Sequence, residues 1–176
     1  MDIVAIFQNG IRAGVGPIAA AYALAAIGLN IHYGYTGLRN FGQVGFMLVG
    51  AYGVGISVAT YGWSMWVGIA VGVFASVGLA LVMGLPTLRL RTDYFAIATI
   101  AVAEILRLVA RSTSATDVTG GPFGLQSIAV DFADLNPIEP GRYGVGRLTF
   151  SDGQLWAMLV TWTLVALATL MLMRLM

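Results

Sequence analysis

Cysteine and lysine are absent from this 176-residue chain, and charged residues of all types make up only 10% of it. Without cysteine the chain can form neither a disulfide nor a thiolate metal site. A soluble domain carries about 25% charged residues, whereas this chain is 59% hydrophobic and has a mean hydropathy of +0.86. The net charge of +1 gives no indication of a nucleic-acid partner. The composition predicts an integral membrane protein embedded in the lipid bilayer.

Residue sets that carry enzyme chemistry are also scarce. His32 is the single histidine of the chain, and no second ligand stands near it. We therefore interpret it as a polar group at the membrane boundary and expect no metal site and no cofactor. The sequence contains no nucleophile with a base and an orienting acid, and it has no Walker-type phosphate loop for ATP hydrolysis. These absences predict that the chain is not an enzyme.

Long apolar stretches organise the chain. Residues 13–31, 43–61, 63–85 and 154–175 are each long enough to cross a bilayer, for which about 20 apolar residues are required. A fifth stretch, 94–110, would reach only about 26 Å as a helix, so it either crosses a thinned region or belongs to a broken helix. We predict an all-α, polytopic transmembrane bundle of about five hydrophobic helices with possible broken or re-entrant helices, forming one domain over residues 1–176.

Arginine placement predicts the orientation of the bundle. Cytoplasmic links are enriched in basic residues, and an outer N-terminus puts Arg39, Arg89, Arg91 and Arg174 inside. Residues 112–152 then form an extramembrane, outward-facing loop. Its glycine–proline turns and scattered apolar residues predict that it packs back on the helices. Within this loop we single out Gly120, Gly121 and Pro122 as a shaped outer turn.

Glycine and polar residues concentrate between the first two apolar stretches. Small residues let membrane helices approach closely, which is our interpretation of Gly68 and Gly72. The glycine-rich region 37–55 differs because hydrogen-bonding groups accompany it, and polar backbone in a membrane is tolerated where it faces protein or a wet cavity. We therefore predict that four polar residues line a substrate pathway: Asn30, Thr36, Asn40 and Gln43.

Glu104 stands out because a carboxylate at membrane depth is costly to keep. Arg107 follows three residues later, close enough to pair with it on one helix face. The pair either neutralises itself and anchors the helix, or acts as a polar lock that gates the pathway. The spacing alone leaves both interpretations open.

Three ordered motifs together resemble a known family. They are AAIGLNIHYGYTGLRNFGQVGFMLVGAYG at residues 25–53, GLPTLRLRTDYFAIATIAVAEILRLV at 84–109 and TGGPFGL at 119–125. The chain resembles the LivM-type permease subunits of branched-chain amino-acid ABC importers. The resemblance implies a multi-pass protein of the bacterial inner membrane that works with a LivH-type permease, two cytoplasmic ATP-binding subunits and a soluble substrate-binding protein. Members of the wider superfamily carry urea, amides or other small solutes.

Members of this family continue beyond the equivalent of residues 172–174 into a segment that contacts the ATPase. We therefore expect this chain to be the N-terminal part of a longer permease or a truncated product. The predicted function is a permease subunit of an ABC importer for branched-chain or related amino acids, which provides the pathway while partners hydrolyse ATP. The alternatives are an ATP-independent channel or ion-coupled carrier, and a truncated membrane protein that transports nothing.

Overall fold

The computed structural model of the protein describes residues 3–87, 92–145 and 148–175, so the predicted inward-facing Arg89 and Arg91 lie outside the described residues. Helices dominate the architecture, which confirms the all-α prediction, and a short antiparallel hairpin is an addition that the sequence analysis did not foresee. In chain order the elements are α1 (Ile3–Val15), α2 (Pro17–Ile31), α3 (Gln43–Gly55), α4 (Met65–Thr87), α5 (Thr92–Ala110), α6 (Thr116–Thr119), α7 (Val130–Asp134), β1 (Arg142–Val145), β2 (Leu148–Ser151) and α8 (Asp152–Leu175).

Three helical segments of the described residues are long and apolar enough to cross a membrane, namely Gln43–Thr60, Met65–Leu85 and Asp152–Arg174. They match three of the predicted spans to within two residues at each end. Two π-helical turns lengthen the helices that they follow. His32–Thr36 extends α2, and Ile56–Thr60 extends α3. A multi-pass membrane protein is therefore confirmed.

The fourth span is broken. Ile3–Val15 and Pro17–Thr36 qualify together but are bent by 51°, because proline has no N–H to continue the helical hydrogen bonds. The predicted stretch 13–31 thus starts just before a bend rather than at a helix end. Helix α5 is 19 residues long and carries both acidic and basic residues, and it is not among the segments that qualify by apolarity. Its crossing of the bilayer stays a prediction.

The described chain divides into two compact units. Ile31–Phe132 form one, called here the central unit after its place in the sequence, and residues 3–30 with 133–175 belong to the other, the terminal unit. The predicted outer loop 112–152 is therefore shared between them. In the central unit α3 packs against both α4 and α5.

Glycines bring α3 and α4 into backbone contact. A methyl group added at Gly53 would lie 2.7 Å from the Cα of Gly72, and one added at Gly72 would lie 2.6 Å from the carbonyl oxygen of Gly50. Real side-chain carbons keep about 3.5–4.0 Å from neighbouring carbons, so only hydrogen fits at either position. The packing interpretation of Gly72 is confirmed, and the glycine-rich region of α3 is its partner surface.

Residues 112–132 pack on the end of the α3–α4 pair. The Thr60 hydroxyl donates to the carbonyl oxygen of Val118 at 3.0 Å, and the Met65 N–H donates to the Asp131 carboxylate at 2.9 Å. The second bond satisfies an N–H in the first turn of α4 and places negative charge at its positive end. This part of the predicted loop therefore does pack on the helices.

In the terminal unit, α8 donates a hydrogen bond to the backbone at the break between α1 and α2. After the break at Gly16, Ala19 and Ala20 donate to the Gly16 carbonyl, and the indole N–H of Trp162 donates to the Val15 carbonyl at 2.8 Å. A neighbouring helix commonly satisfies the carbonyls that a proline frees in a membrane.

The hairpin leads directly into α8 through a capping box. The Gln154 N–H donates to the Ser151 hydroxyl, and the Ser151 N–H donates to the Gln154 side chain, both at 3.3 Å. This reciprocal pair satisfies two donors at the helix start. The S-x-x-Q spacing of Ser151 and Gln154 is a signal from which the start of α8 could have been predicted.

Candidate functional site

A cavity of about 290 Å³ lies within the central unit. Its walls come from the turn after α2, the first turns of α3, the last turns of α4 and the first half of α5. The volume is near the lower end of the range of about 300–1,000 Å³ for small-molecule pockets, so a small solute fits. The cavity is lined by His32, Thr36, Leu38, Asn40, Gln43, Phe46, Ala80, Met83, Gly84, Phe95 and Thr99.

Three of the four polar residues predicted to line a pathway meet in this cavity: Thr36, Asn40 and Gln43. The fourth, Asn30, is an exposed residue of the terminal unit and is not among the residues that line it. The structure thus gathers Thr36, Asn40 and Gln43 around one space, and their role in transport stays a prediction.

Asn40 and Thr36 are held by local hydrogen bonds. The side-chain oxygen of Asn40, which is 2% exposed, accepts the Gly42 N–H at 3.0 Å and so turns the chain into α3. The Thr36 hydroxyl donates to the His32 carbonyl at 2.6 Å and accepts the Leu38 N–H at 3.3 Å. Both side chains therefore shape the polar wall of the cavity and are already engaged in it.

Gln43 differs from these two residues. It is half-buried at the first position of α3, and within the described part of the chain its amide makes no hydrogen bond. A carboxamide offers two donors and an acceptor. Gln43 is therefore a polar group of this wall that remains available to a solute.

The opposite wall is apolar, and the sequence analysis missed it. Met83 and Phe95 are each 8% exposed, and Thr99 is 1% exposed with its hydroxyl donating to the Ala96 carbonyl at 2.8 Å. Thr99 is the single hydroxyl in the apolar run 95–103, and that isolation was the available signal. Met83 and Phe95 resemble any other core residue in the sequence, so no local pattern indicated them.

Close backbone contact fixes the floor of the cavity between α3 and α5. A methyl group at Gly42 would lie 2.7 Å from the carbonyl carbon of Thr99, and one at Gly45 would lie 3.1 Å from the Cα of Ala103. Gly42 therefore allows the start of α3 to contact α5. Its position in a polar link did not predict this role.

Among the described residues that line the cavity, none is an aspartate, glutamate, lysine or arginine. The ion pair of Arg39 and Asp93, at 3.9 Å, is largely exposed. This described part of the lining therefore suits an uncharged solute or the apolar side chain of a larger one.

Glu104 and Arg107 form the ion pair that their spacing predicted. The Arg107 guanidinium donates to both carboxylate oxygens, from Nε at 2.9 Å and from Nη2 at 2.7 Å. Such bidentate pairing is among the stronger geometries for an ion pair. The two side chains are 52% and 44% exposed at the edge of a groove between α3 and α5 that is separate from the cavity. Their pairing is confirmed, whereas a gating role stays a prediction.

The sequence Gly120-Gly121-Pro122 does form a tight turn. Gly120 ends α6 with φ 73° and its N–H donates to the Thr116 carbonyl at 3.0 Å. A methyl group at Gly120 would overlap the backbone of Gly124, so glycine is required by space as well as by conformation. Gly121 is buried and Pro122 exposed. The geometry is that of a shaped turn, and its role in function stays a prediction.

Comparison with known proteins places the chain among permeases. The family model described as branched-chain amino acid transport system / permease component matches residues 17–176. Similar proteins include the LivM permease proteins of the high-affinity branched-chain amino acid transport systems of Salmonella typhimurium, 33% identical over 114 residues, and Escherichia coli, 32% identical over 114 residues. Each alignment covers 65% of this chain but only 26% of the relative.

A third relative is the probable branched-chain amino acid transport permease protein LivM of Methanocaldococcus jannaschii, which is 28% identical over 140 residues covering 60% of this chain and 40% of that protein. No solved structure matched the chain significantly. The family match extends over nine-tenths of the sequence and includes the helices that enclose the cavity. The chain therefore belongs to the family of permease components of branched-chain amino acid transport systems.

Proposed function

We propose that this chain provides part of the translocation pathway of an ABC importer for branched-chain or related amino acids, and that the cavity of the central unit is a section of that pathway. The observation that carries the proposal is the meeting of Thr36, Asn40 and Gln43 in one cavity, in a chain that belongs to a permease family.

The two walls of the cavity suit the two parts of such a solute. Transfer of an aliphatic side chain from water to an apolar surface is favourable, and Phe46, Met83 and Phe95 supply that surface. The Gln43 amide faces the same space and can hydrogen-bond to a polar part of the solute. A free amino acid also carries two charged ends, for which the described lining residues offer no counter-charge. Those ends would be bound by water or by a partner subunit.

The partners follow from the proposed class. We place a second, LivH-type permease against this chain in the membrane, two ATP-binding subunits on the cytoplasmic side and a soluble substrate-binding protein outside. ATP binding and hydrolysis in those subunits would drive alternating access. The matched family is described as a permease component of a transport system, which supports the presence of further components.

The other predicted residues take supporting roles in this proposal. Glu104 and Arg107 form a polar lock whose closed state is the ion pair between them. Gly120, Gly121 and Pro122 form the shaped turn that follows α6. Asn30 would contribute to a part of the pathway outside the cavity. Residues 1–176 would form one transmembrane permease domain.

Uptake of radiolabelled leucine by proteoliposomes tests the proposal, with the complete transporter reconstituted around this subunit. A Gln43→Leu variant keeps the side-chain size but removes the unpaired amide of the cavity. Losing one hydrogen bond to a solute is worth about 1 kcal/mol, so we expect a roughly five-fold rise in KM. The matched control is Gln126→Leu, because Gln126 is an exposed residue of the central unit outside the cavity.

Equal KM values in the two variants would contradict a pathway through this cavity. Omitting ATP from the vesicle interior tests the transporter class in the same experiment. Flux that continues without ATP would favour the channel or ion-coupled carrier, and the proposal predicts that uptake stops.

A further inference from the structure

An aromatic side chain stands unusually exposed in the segment that follows α5 within the central unit. Phe123 has 87% of its surface exposed and ends the tight turn Gly121–Phe123. The turn fixes the backbone at Phe123, and an apolar ring in water forgoes a hydrophobic gain of about 1.5–3 kcal/mol. The surroundings of this segment indicate what covers the ring.

The segment of residues 116–132 lies alongside the last turns of a membrane span. Side chains of Leu125 and Ile128 press on Gly55, where an added methyl group would lie 2.8 Å and 3.1 Å from them. Gly55 precedes Thr60, the last residue of the span Gln43–Thr60, by about 7 Å along the helix axis. Phe123 is within about 7 Å of Leu125 along the chain, so the exposed ring lies near the depth at which the span enters the membrane.

Aromatic residues mark that depth independently. Tyr61, Trp63 and Trp66 join and begin the two spans at this end of the pair, and they are 61%, 49% and 66% exposed. Tyrosine and tryptophan concentrate at the level of the lipid headgroups. The segment contacts the same end, through Thr60 and Met65, so it lies level with these aromatic side chains.

Several polar groups of the segment are satisfied within the protein, which lowers the free-energy cost of a position against lipid. The Thr119 hydroxyl lies 2.8 Å from the Ala110 carbonyl and accepts the Gly121 N–H at 3.2 Å. Val118 offers its carbonyl to Thr60, and Asp131 accepts the Met65 N–H. Among the described residues, no buried side-chain nitrogen or oxygen lacks a hydrogen-bond partner.

We infer that residues 116–132 are an interfacial anchor, with the Phe123 ring inserted among the lipid headgroups and upper acyl chains beside α3 and α4. Interfacial elements bury their apolar residues about 5–10 Å deep, which agrees with the depth of Gly55. The anchor would hold the end of the α3–α4 pair at a set level in the bilayer. The inference stands on the geometry of this segment and does not depend on the transported solute.

The absence of cysteine makes the test direct, since single cysteines can be introduced into the natural chain. Phe123→Cys is labelled with a nitroxide and the chain is reconstituted in vesicles of phosphatidylcholine and phosphatidylglycerol. Collision of the label with oxygen, which partitions into lipid, is compared with collision with a water-soluble nickel chelate. Val73→Cys, at an exposed position midway along α4, gives the lipid reference, and Glu139→Cys gives the aqueous reference.

We expect the oxygen-to-nickel ratio at Phe123 to lie between the two references and clearly above that at Glu139. A ratio equal to that at Glu139 would overturn the inference. If the label became protected only after a soluble protein was added, the ring would be a protein-docking residue and the lipid assignment would again be wrong. Far-UV circular dichroism confirms folding, and Val118→Cys in the same segment gives the same expectation if Phe123→Cys does not reconstitute.

Discussion

Replacing Gly53 by alanine tests the backbone contact between α3 and α4. The added methyl group would lie 2.7 Å from the Cα of Gly72 and 3.1 Å from its nitrogen. Relieving that overlap requires a separation of about 1 Å, because carbon atoms keep about 3.5–4.0 Å apart. Overpacking of this kind costs about 1–3 kcal/mol, while alanine regains up to about 1 kcal/mol of helix propensity over glycine.

Gly78 provides the matched control on the partner helix. A methyl group at Gly78 would meet nothing within 4 Å, so Gly78→Ala receives the gain in propensity without the overlap. We therefore expect Gly53→Ala to be less stable than Gly78→Ala by about 1–3 kcal/mol. The assay is unfolding of the purified chain in detergent micelles by increasing dodecyl sulfate, followed by far-UV circular dichroism.

Coincident unfolding curves for the two variants would refute the backbone contact. A Gly53→Ala, Gly72→Ala double variant extends the test. Both substitutions push apart the same pair of helices, so the double variant should lose less stability than the sum of the two single losses. Strict additivity would mean that the two glycines do not share one interface.

Substitutions at three further positions test other contacts by the same unfolding assay. Trp162→Phe leaves the Val15 carbonyl unpaired at the helix break and should cost about 1 kcal/mol, and an unchanged unfolding midpoint would mean that water satisfies this carbonyl. Asp131→Ala removes the acceptor of the Met65 N–H and should cost about 1 kcal/mol, with faster amide exchange at Met65 as a second readout. Ser151→Ala removes the cap of α8 and should cost about 1 kcal/mol, whereas Ser151→Asp should retain stability.

Local patterns in the sequence were enough to predict the features whose causes are local. The three unbroken spans follow from apolar length alone, and Glu104 pairs with Arg107 because residues three apart share a helix face. The bend between α1 and α2 has an equally local cause in Pro17, but the long apolar run around it concealed the break. Ser151 and Gln154 also have a local signal, the S-x-x-Q spacing of a capping box.

The cavity was predictable only on one side. Thr36, Asn40 and Gln43 lie close together in the sequence and are all polar, so the local pattern predicted them as one group. Phe95 and Thr99 reach the cavity from α5, more than fifty residues later. That pairing depends on Gly42, whose missing side chain permits contact with Thr99, and such a contact leaves no periodic pattern in the sequence.

The glycine seam between α3 and α4 has a mechanical consequence for any change of access to the cavity. Gly50, Gly53 and Gly72 meet through backbone atoms, flanked by the short side chains of Val54 and Ser76, so rotamer changes at this seam leave little room for the helices to slide. Movement in packed proteins takes place between discrete arrangements of side chains or at hinges. The α3–α4 pair should accordingly move as one rigid body, with the chain bending before α3 near Gly37, where φ is positive. Opening the cavity then requires the α3–α4 pair to tilt against α5. The rigidity of the contact between the two helices determines how completely a displacement at one end of the pair is transmitted to the other.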